Sequence, residues 1–233
     1  MKLKTFWIGK YEATAAQYAF FLNRAGRHEE DGHPYLIDPS AEEALIRRGP
    51  GGYEPREAFG DFPASGISWH GARAFCDWLR AETGLPFDLP TEAQWEKAAH
   101  GESDQDRIFP WGVRLNKDLA RYRDSQPTRV GRYLKGVGPY GAHDMAGNVA
   151  EWVKDWYDET YYSRSPGQDP DGPTTGTLRI LRGGDWTCQM LTIPQLRTGD
   201  RNPTLPDSLA PTQGFRVALD GDFATRRPGD PTR

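Results

Sequence analysis

The chain has 233 residues, with 29 basic and 33 acidic side chains and a net charge of −4. That balance excludes a strongly basic nucleic-acid binder. A mean hydropathy of −0.77 and the lack of any apolar run of about twenty residues exclude a membrane span. The opening MKLKTFWIGKYEATAAQ has neither the apolar core nor the small-residue cleavage site of a secretory leader, which points to the cytoplasm. Two cysteines, Cys76 and Cys188, with no CxxC pair, supply neither a disulfide framework nor a zinc ribbon.

The 26 glycines and 19 prolines occur beside 8 Trp, 10 Tyr and 10 Phe. Such punctuation with so many aromatics describes a compact, loop-rich α+β domain, since bundles and parallel α/β sheets need long periodic elements. Tyr18, Phe21 and Leu22 predict a helix over Thr14–Asn23. Arg24 to Phe62 is polar and punctuated, and is expected to form a long surface excursion with a short helix at Ala41–Arg48. A second helix is predicted from His70 to Thr83, stopped by Gly84-Leu85-Pro86. A third starts at Thr91, where Gln94 completes a capping box. Beyond Gly101 the periodicity shortens. Phe109–Trp111, Arg129–Tyr133, Ala150–Trp156, Leu178–Leu181 and Phe215–Leu219 are expected as short antiparallel strands or ordered loops. With no repeat and no linker, residues 1–223 form one expected domain, followed by a flexible tail at 224–233.

These residues carry a resemblance. WIGKYEATAAQYAFFLN, GISWHGARAFCDWLRAETGLPFDLPTEAQWEKAAHG, FPWG, GPYGAHDMAGNVAEWVKDWY, RILRGGDW and QGFRVAL occur in order. Together they resemble the formylglycine-generating-enzyme (sulfatase-modifying factor) family. The resemblance implies a single C-type-lectin-like domain, with two or three helices around a small twisted antiparallel sheet. It also implies an opening strand upstream of Trp7 that this sequence does not carry.

Catalytic members of the family hold copper with two cysteines five residues apart after an RGGSW-like motif. Copper needs that pair of soft ligands presented together. Here Cys188 takes the first position, Ile193 the second, and Asp185 replaces the motif serine. No copper is therefore expected and no catalytic residue is assigned, so the chain is expected not to be an enzyme. Cys76, on an apolar helix face, is expected in the core. The five histidines, His28, His33, His70, His100 and His143, show no metal-ligand spacing, and His70 is expected to make a local hydrogen bond near a helix start. The resemblance further implies structural calcium in HDMAGNVAEW, through the Asp144 and Glu151 side chains and the Gly147 and Val149 carbonyls. Such hard oxygen donors suit that ion; a tight turn around Asp144 and Asn148 would explain the same residues.

Between Arg182-Gly183-Gly184 and Gly214-Phe215-Arg216 lies a segment, about 187–213, whose anchors Trp186, Arg197, Arg201 and Pro206 fit the family frame. The residues between follow no period: Thr187, Cys188, Gln189, Met190, Leu191, Thr192, Ile193, Gln195, Asn202, Thr204, Leu205, Ser208, Leu209 and Thr212. Clustered apolar residues in so polar a stretch point to a binding surface. The frame is similar to that of variable proteins of diversity-generating retroelements, in which exchangeable side chains sit on a fixed scaffold. That resemblance implies a non-catalytic protein that binds an unidentified ligand, a protein or other macromolecule. The alternatives are a family enzyme with a single active-site thiol and a fixed-specificity binding or regulatory domain.

Overall fold

The computed structural model describes residues 2–102, 107–189 and 191–221. Local chemistry sets the helices. Helix α1 (Ala15–Ala25) starts at a Thr14/Gln17 capping box and stops at Gly26, which sits at φ 66°. Helix α2 (Trp69–Thr83) is capped by the Ser68 hydroxyl, which accepts from the Gly71 amide at 3.0 Å, and it stops at Gly84. Helix α3 (Glu92–His100) has a second capping box, Thr91/Gln94.

Eleven short strands lie among the described residues. They are β1 (Phe6–Ile8), β2 (Glu29–Glu30), β3 (His33–Pro34), β4 (Ile46–Gly49), β5 (Gly52–Pro55), β6 (Phe87–Asp88), β7 (Ala150–Trp156), β8 (Arg179–Arg182), β9 (Asn202–Thr204), β10 (Gln213–Phe215) and β11 (Ala218–Asp220). The order β10-β7-β8-β9 makes the main sheet, and β1-β11-β6 a smaller antiparallel one. In the main sheet β7, β8 and β9 run antiparallel, whereas β10 joins β7 in parallel, with Gly214 opposite Glu151. Residues 205–212 therefore carry the chain from one sheet edge to the other. β1 takes the edge beside β11.

The core forms where both helices meet this sheet. Tyr18 and Phe21 of α1 and Phe75 of α2 pack with Trp152, Leu181 and Phe215. Burying each such ring stabilises by about 1.5–3 kcal/mol. Cys76 is fully buried in the same cluster. A second cluster joins Trp95 of α3 to Met145, Val153 and Ile180.

One expectation is corrected and two are made specific. Ala41–Arg48 contains no helix; turns precede β4, whose Ile46 is buried, and β4 folds back on β5. The excursion 24–62 folds as two hairpins. Its second hairpin is tied to α1 by paired bonds between the Asn23 amide and the Tyr53 backbone, both 2.7 Å. Phe109–Trp111 and Arg129–Tyr133 are ordered turns, because single tertiary bonds such as Val130 N–H to the Asp61 carbonyl replace a ladder there. Residues 224–233 lie outside the described residues.

Candidate functional site

Two arginines fix the ends of the 187–213 segment. Arg182, fully buried at the end of β8, donates to Glu96 at 2.7 Å and to the Thr198 and Asp200 carbonyls, with Glu92 3.4 Å away. Arg201 makes a two-point bond to the same Glu92, at 2.8 and 2.9 Å. Arg216, just after β10, pairs with Glu151 through Nε–Oε2 and Nη2–Oε1, both 2.6 Å. It also donates to the Gly9 and His143 carbonyls at 2.8 Å. Trp95 Nε1 completes Glu151 at 2.8 Å. Bidentate charge-assisted bonds of this kind are strong and directional. Of these glutamates the sequence marks only Glu151; Glu92 has the signature of an ordinary first-turn acid, and nothing along the chain singles out Glu96.

Between these clamps, Thr187, Gln189, Leu191, Thr192 and Leu205 are exposed; Leu191 reaches 93% and Leu205 63%. Gln195, Ser208, Leu209 and Thr212 are half-buried, and Asn202 and Thr204 belong to β9. Ile193 begins a short 3₁₀ turn, Ile193–Leu196, and Met190 lies outside the described residues. Both ends of the segment reach one groove of about 400 Å³. Trp186, Thr187 and Thr212 line one side, and Glu42, Arg56 and Phe59 the other. The Trp186 amide donates to the Asn148 carbonyl at 3.0 Å, fixing that wall to the 144–151 loop.

Cys188 points inward, away from this surface. It is 1% exposed and packs with Phe109, Tyr122 and Leu196; its sulfur lies 3.6 Å from Gln195 Oε1, and burial pushes the thiol pKa up. With Ile193 at the partner position, these residues do not fit a two-sulfur copper centre.

The 144–151 loop gathers acid. Asp144 and Asn148 sit at φ 57° and 65°. Gly131 N–H donates to Asp144 at 2.6 Å, yet burial pushes its carboxyl up to about 6. Glu12, also buried, accepts from Asn148 Nδ2 at 2.7 Å, and burial raises its pKa well above the usual carboxylate range. Glu12 and Asp144 act on the Arg216 guanidinium through charge, and Glu151 alone pairs with it directly. Among the described residues the Gly147 and Val149 carbonyls accept no hydrogen bond. Carboxylates and free carbonyls are the donor types a hard cation takes, while both Glu151 oxygens already accept from Arg216.

A second grouping was not foreseen. His33, His70 and Asp207 bring three ligand atoms within 4.8 Å of one another. The expected local bond of His70 is absent: its Nε2 is buried without a partner, and its ring stacks on His33 at 4.1 Å. Sequence spacing could not show this, because the two histidines are 37 positions apart and only the tertiary fold joins them. No helix of the described residues is long and apolar enough to cross a membrane.

Residues 1–221 match the family described as "Sulfatase-modifying factor enzyme 1-like domain". The formylglycine-generating enzyme of Streptomyces coelicolor is 30% identical over 263 aligned positions, covering 97% of this chain and 81% of that protein. The serine/threonine-protein kinase pkn1 of Chlamydia caviae is 33% identical over 93% of this chain, but this chain spans only 33% of that relative's length. Among solved structures, Treponema denticola variable protein 1 superposes with a TM-score of 0.70 at 25% identity, covering 93% of this chain and 85% of that one. The expectation that the chain is no enzyme is overturned by the named relatives, which include formylglycine-generating enzymes matched over 81% and 84% of their length. With the C-type-lectin-like fold and this match over nearly its full length, the chain belongs to the sulfatase-modifying factor enzyme 1-like family.

Proposed function

We propose that the chain recognises a macromolecular ligand, a polypeptide first of all, on the surface formed by residues 187–213 and the adjoining groove. One observation carries this reading. Exposed Leu191 and Leu205 sit on a segment whose two ends are held by buried arginine–carboxylate clamps. A rigid frame lets contact residues differ while the backbone stays fixed, and the likeness to a variable protein supports that use. Calcium at Asp144, Glu151 and the Gly147 and Val149 carbonyls belongs to the same reading, since it would neutralise the buried acid and hold the wall that carries Trp186.

Whether the surface is diversified is tested by sequencing the gene and its surroundings. The reading expects a near-identical copy of the stretch encoding Arg182 to Arg216, differing mainly at adenines, beside a reverse transcriptase. No such copy would leave a surface of fixed specificity and overturn the diversified one.

The relatives' names favour a second reading, in which the polypeptide is also a substrate and dioxygen the two-electron oxidant; Cys188, buried with its pKa raised, would have to be uncovered to serve as the active-site thiol. Mass spectrometry of a cysteine-bearing peptide incubated with the chain tests it. A formylglycine product lost in Cys188→Ala supports this reading, and an unaltered peptide removes it.

A further inference from the structure

We propose that His33, His70 and Asp207 form a binding site for one divalent first-row transition-metal ion, separate from the acidic 144–151 loop. The three come from β3, the first turn of α2 and the 205–212 crossing, yet each sits next to a residue anchored at the same helix start. Ser68 Oγ donates to the Pro34 carbonyl at 2.6 Å, one residue after His33. The Trp69 amide donates to the Pro206 carbonyl at 3.0 Å, tying the neighbours of His70 and Asp207 together. The donors are therefore held on one frame rather than gathered by chance on mobile loops.

Two imidazoles and a carboxylate form a borderline ligand set, suited to zinc and its neighbours and poorly suited to calcium. The spacing brackets it. His33 Nδ1 shares a 2.6 Å hydrogen bond with Asp207 Oδ1, a contact the ion would replace, and His70 Nε2 lies 3.6 Å from the same oxygen. A tetrahedral zinc with bonds near 2.0–2.1 Å sets its donors roughly 3.3 Å apart, between these two values. At 3.6 Å His70 Nε2 makes no hydrogen bond and is left as a buried polar atom without a partner, a cost that an ion would remove. The His33 and Asp207 side chains are 42% and 50% exposed, so an ion can enter from solvent and keep an open position. Because Asp207 belongs to the crossing that returns the chain to β10, the ion would pin one border of the 187–213 surface to α2.

The full chain, freed of metal by a chelator and then dialysed, is titrated with Zn²⁺ by calorimetry and with Co²⁺ by visible absorption. The expected result is one ion per chain and a cobalt spectrum without thiolate charge transfer. Losing even an outer-shell partner costs about 10–100-fold in affinity, so His70→Ala and Asp207→Asn should each weaken binding at least tenfold. Cys188→Ser should leave it unchanged. Should His70→Ala fail to fold, His33→Gln at the more exposed position carries the same test. No saturable zinc binding, or equal binding by wild type, Asp207→Asn and His33→Gln, would overturn the site.

Discussion

Arg216 and Glu151 form a two-point ion pair with neither side chain more than 1% exposed. The pair joins the last anchor of the chain to the central strand β7, beside the parallel register of Gly214 and Glu151. Breaking a buried pair from one side leaves an uncompensated charge, at a cost of about 3–5 kcal/mol. Glu151→Ala should lose that much in urea unfolding, and a loss below about 1 kcal/mol would show that the pair does not hold the strand.

Removal of calcium is the second measurement. An ion bound only by the folded state raises the melting temperature by mass action. Wild type should melt lower in chelator than in millimolar calcium, and Asp144→Ala should melt alike in both. Identical wild-type curves would reject the ion at this loop.

Asp155 gives a pH dependence. It is 4% exposed and accepts from the Glu92 amide at 2.7 Å, and burial above all pushes its carboxyl up to about 7. In the unfolded chain it titrates near 3.9. Between these values the folded state holds the proton more tightly. The group's stability contribution is therefore full below about pH 4 and lost as pH rises through about 7. Asp155→Asn, which cannot ionise, should gain stability relative to wild type across that window; a constant difference between the two would refute the shift.

Gly71 sets propensity against packing. An exposed mid-helix glycine replaced by alanine gains about 1 kcal/mol. Here a Cβ would run into the Tyr35 carbonyl and the Tyr18 hydroxyl. Gly71→Ala should thus destabilise by about 2 kcal/mol, and an increase in melting temperature would show that hairpin β2–β3 yields to it.

Leu191 and Leu205 separate surface from scaffold. Exposed substitutions away from caps and clamps usually stay within about 0.5 kcal/mol. Leu191→Asp and Leu205→Asp should melt like wild type. A drop of more than a few degrees would mean these side chains are part of the packing.

What the sequence determined by itself is local. Thr14/Gln17, Thr91/Gln94 and the terminal Gly26 and Gly84 carry helix boundaries in side chains three residues apart or at one φ angle. Ala150–Trp156, expected as a strand or an ordered loop, is the central strand. Ordered family motifs carried the fold, because each anchor is tied to its own backbone shape. Tertiary structure alone decided which distant groups meet. The same β propensity served strand or turn according to its neighbour, as at Arg129–Tyr133. Cys188 turned inward because Phe109, Tyr122 and Leu196 close over it. Glu92 joined Arg182 and Arg201, and His33 met His70 and Asp207, because backbone bonds to Pro34 and Pro206 converge on one helix start. Burial and ion pairing depend on positions in space, and no period along the chain encodes them.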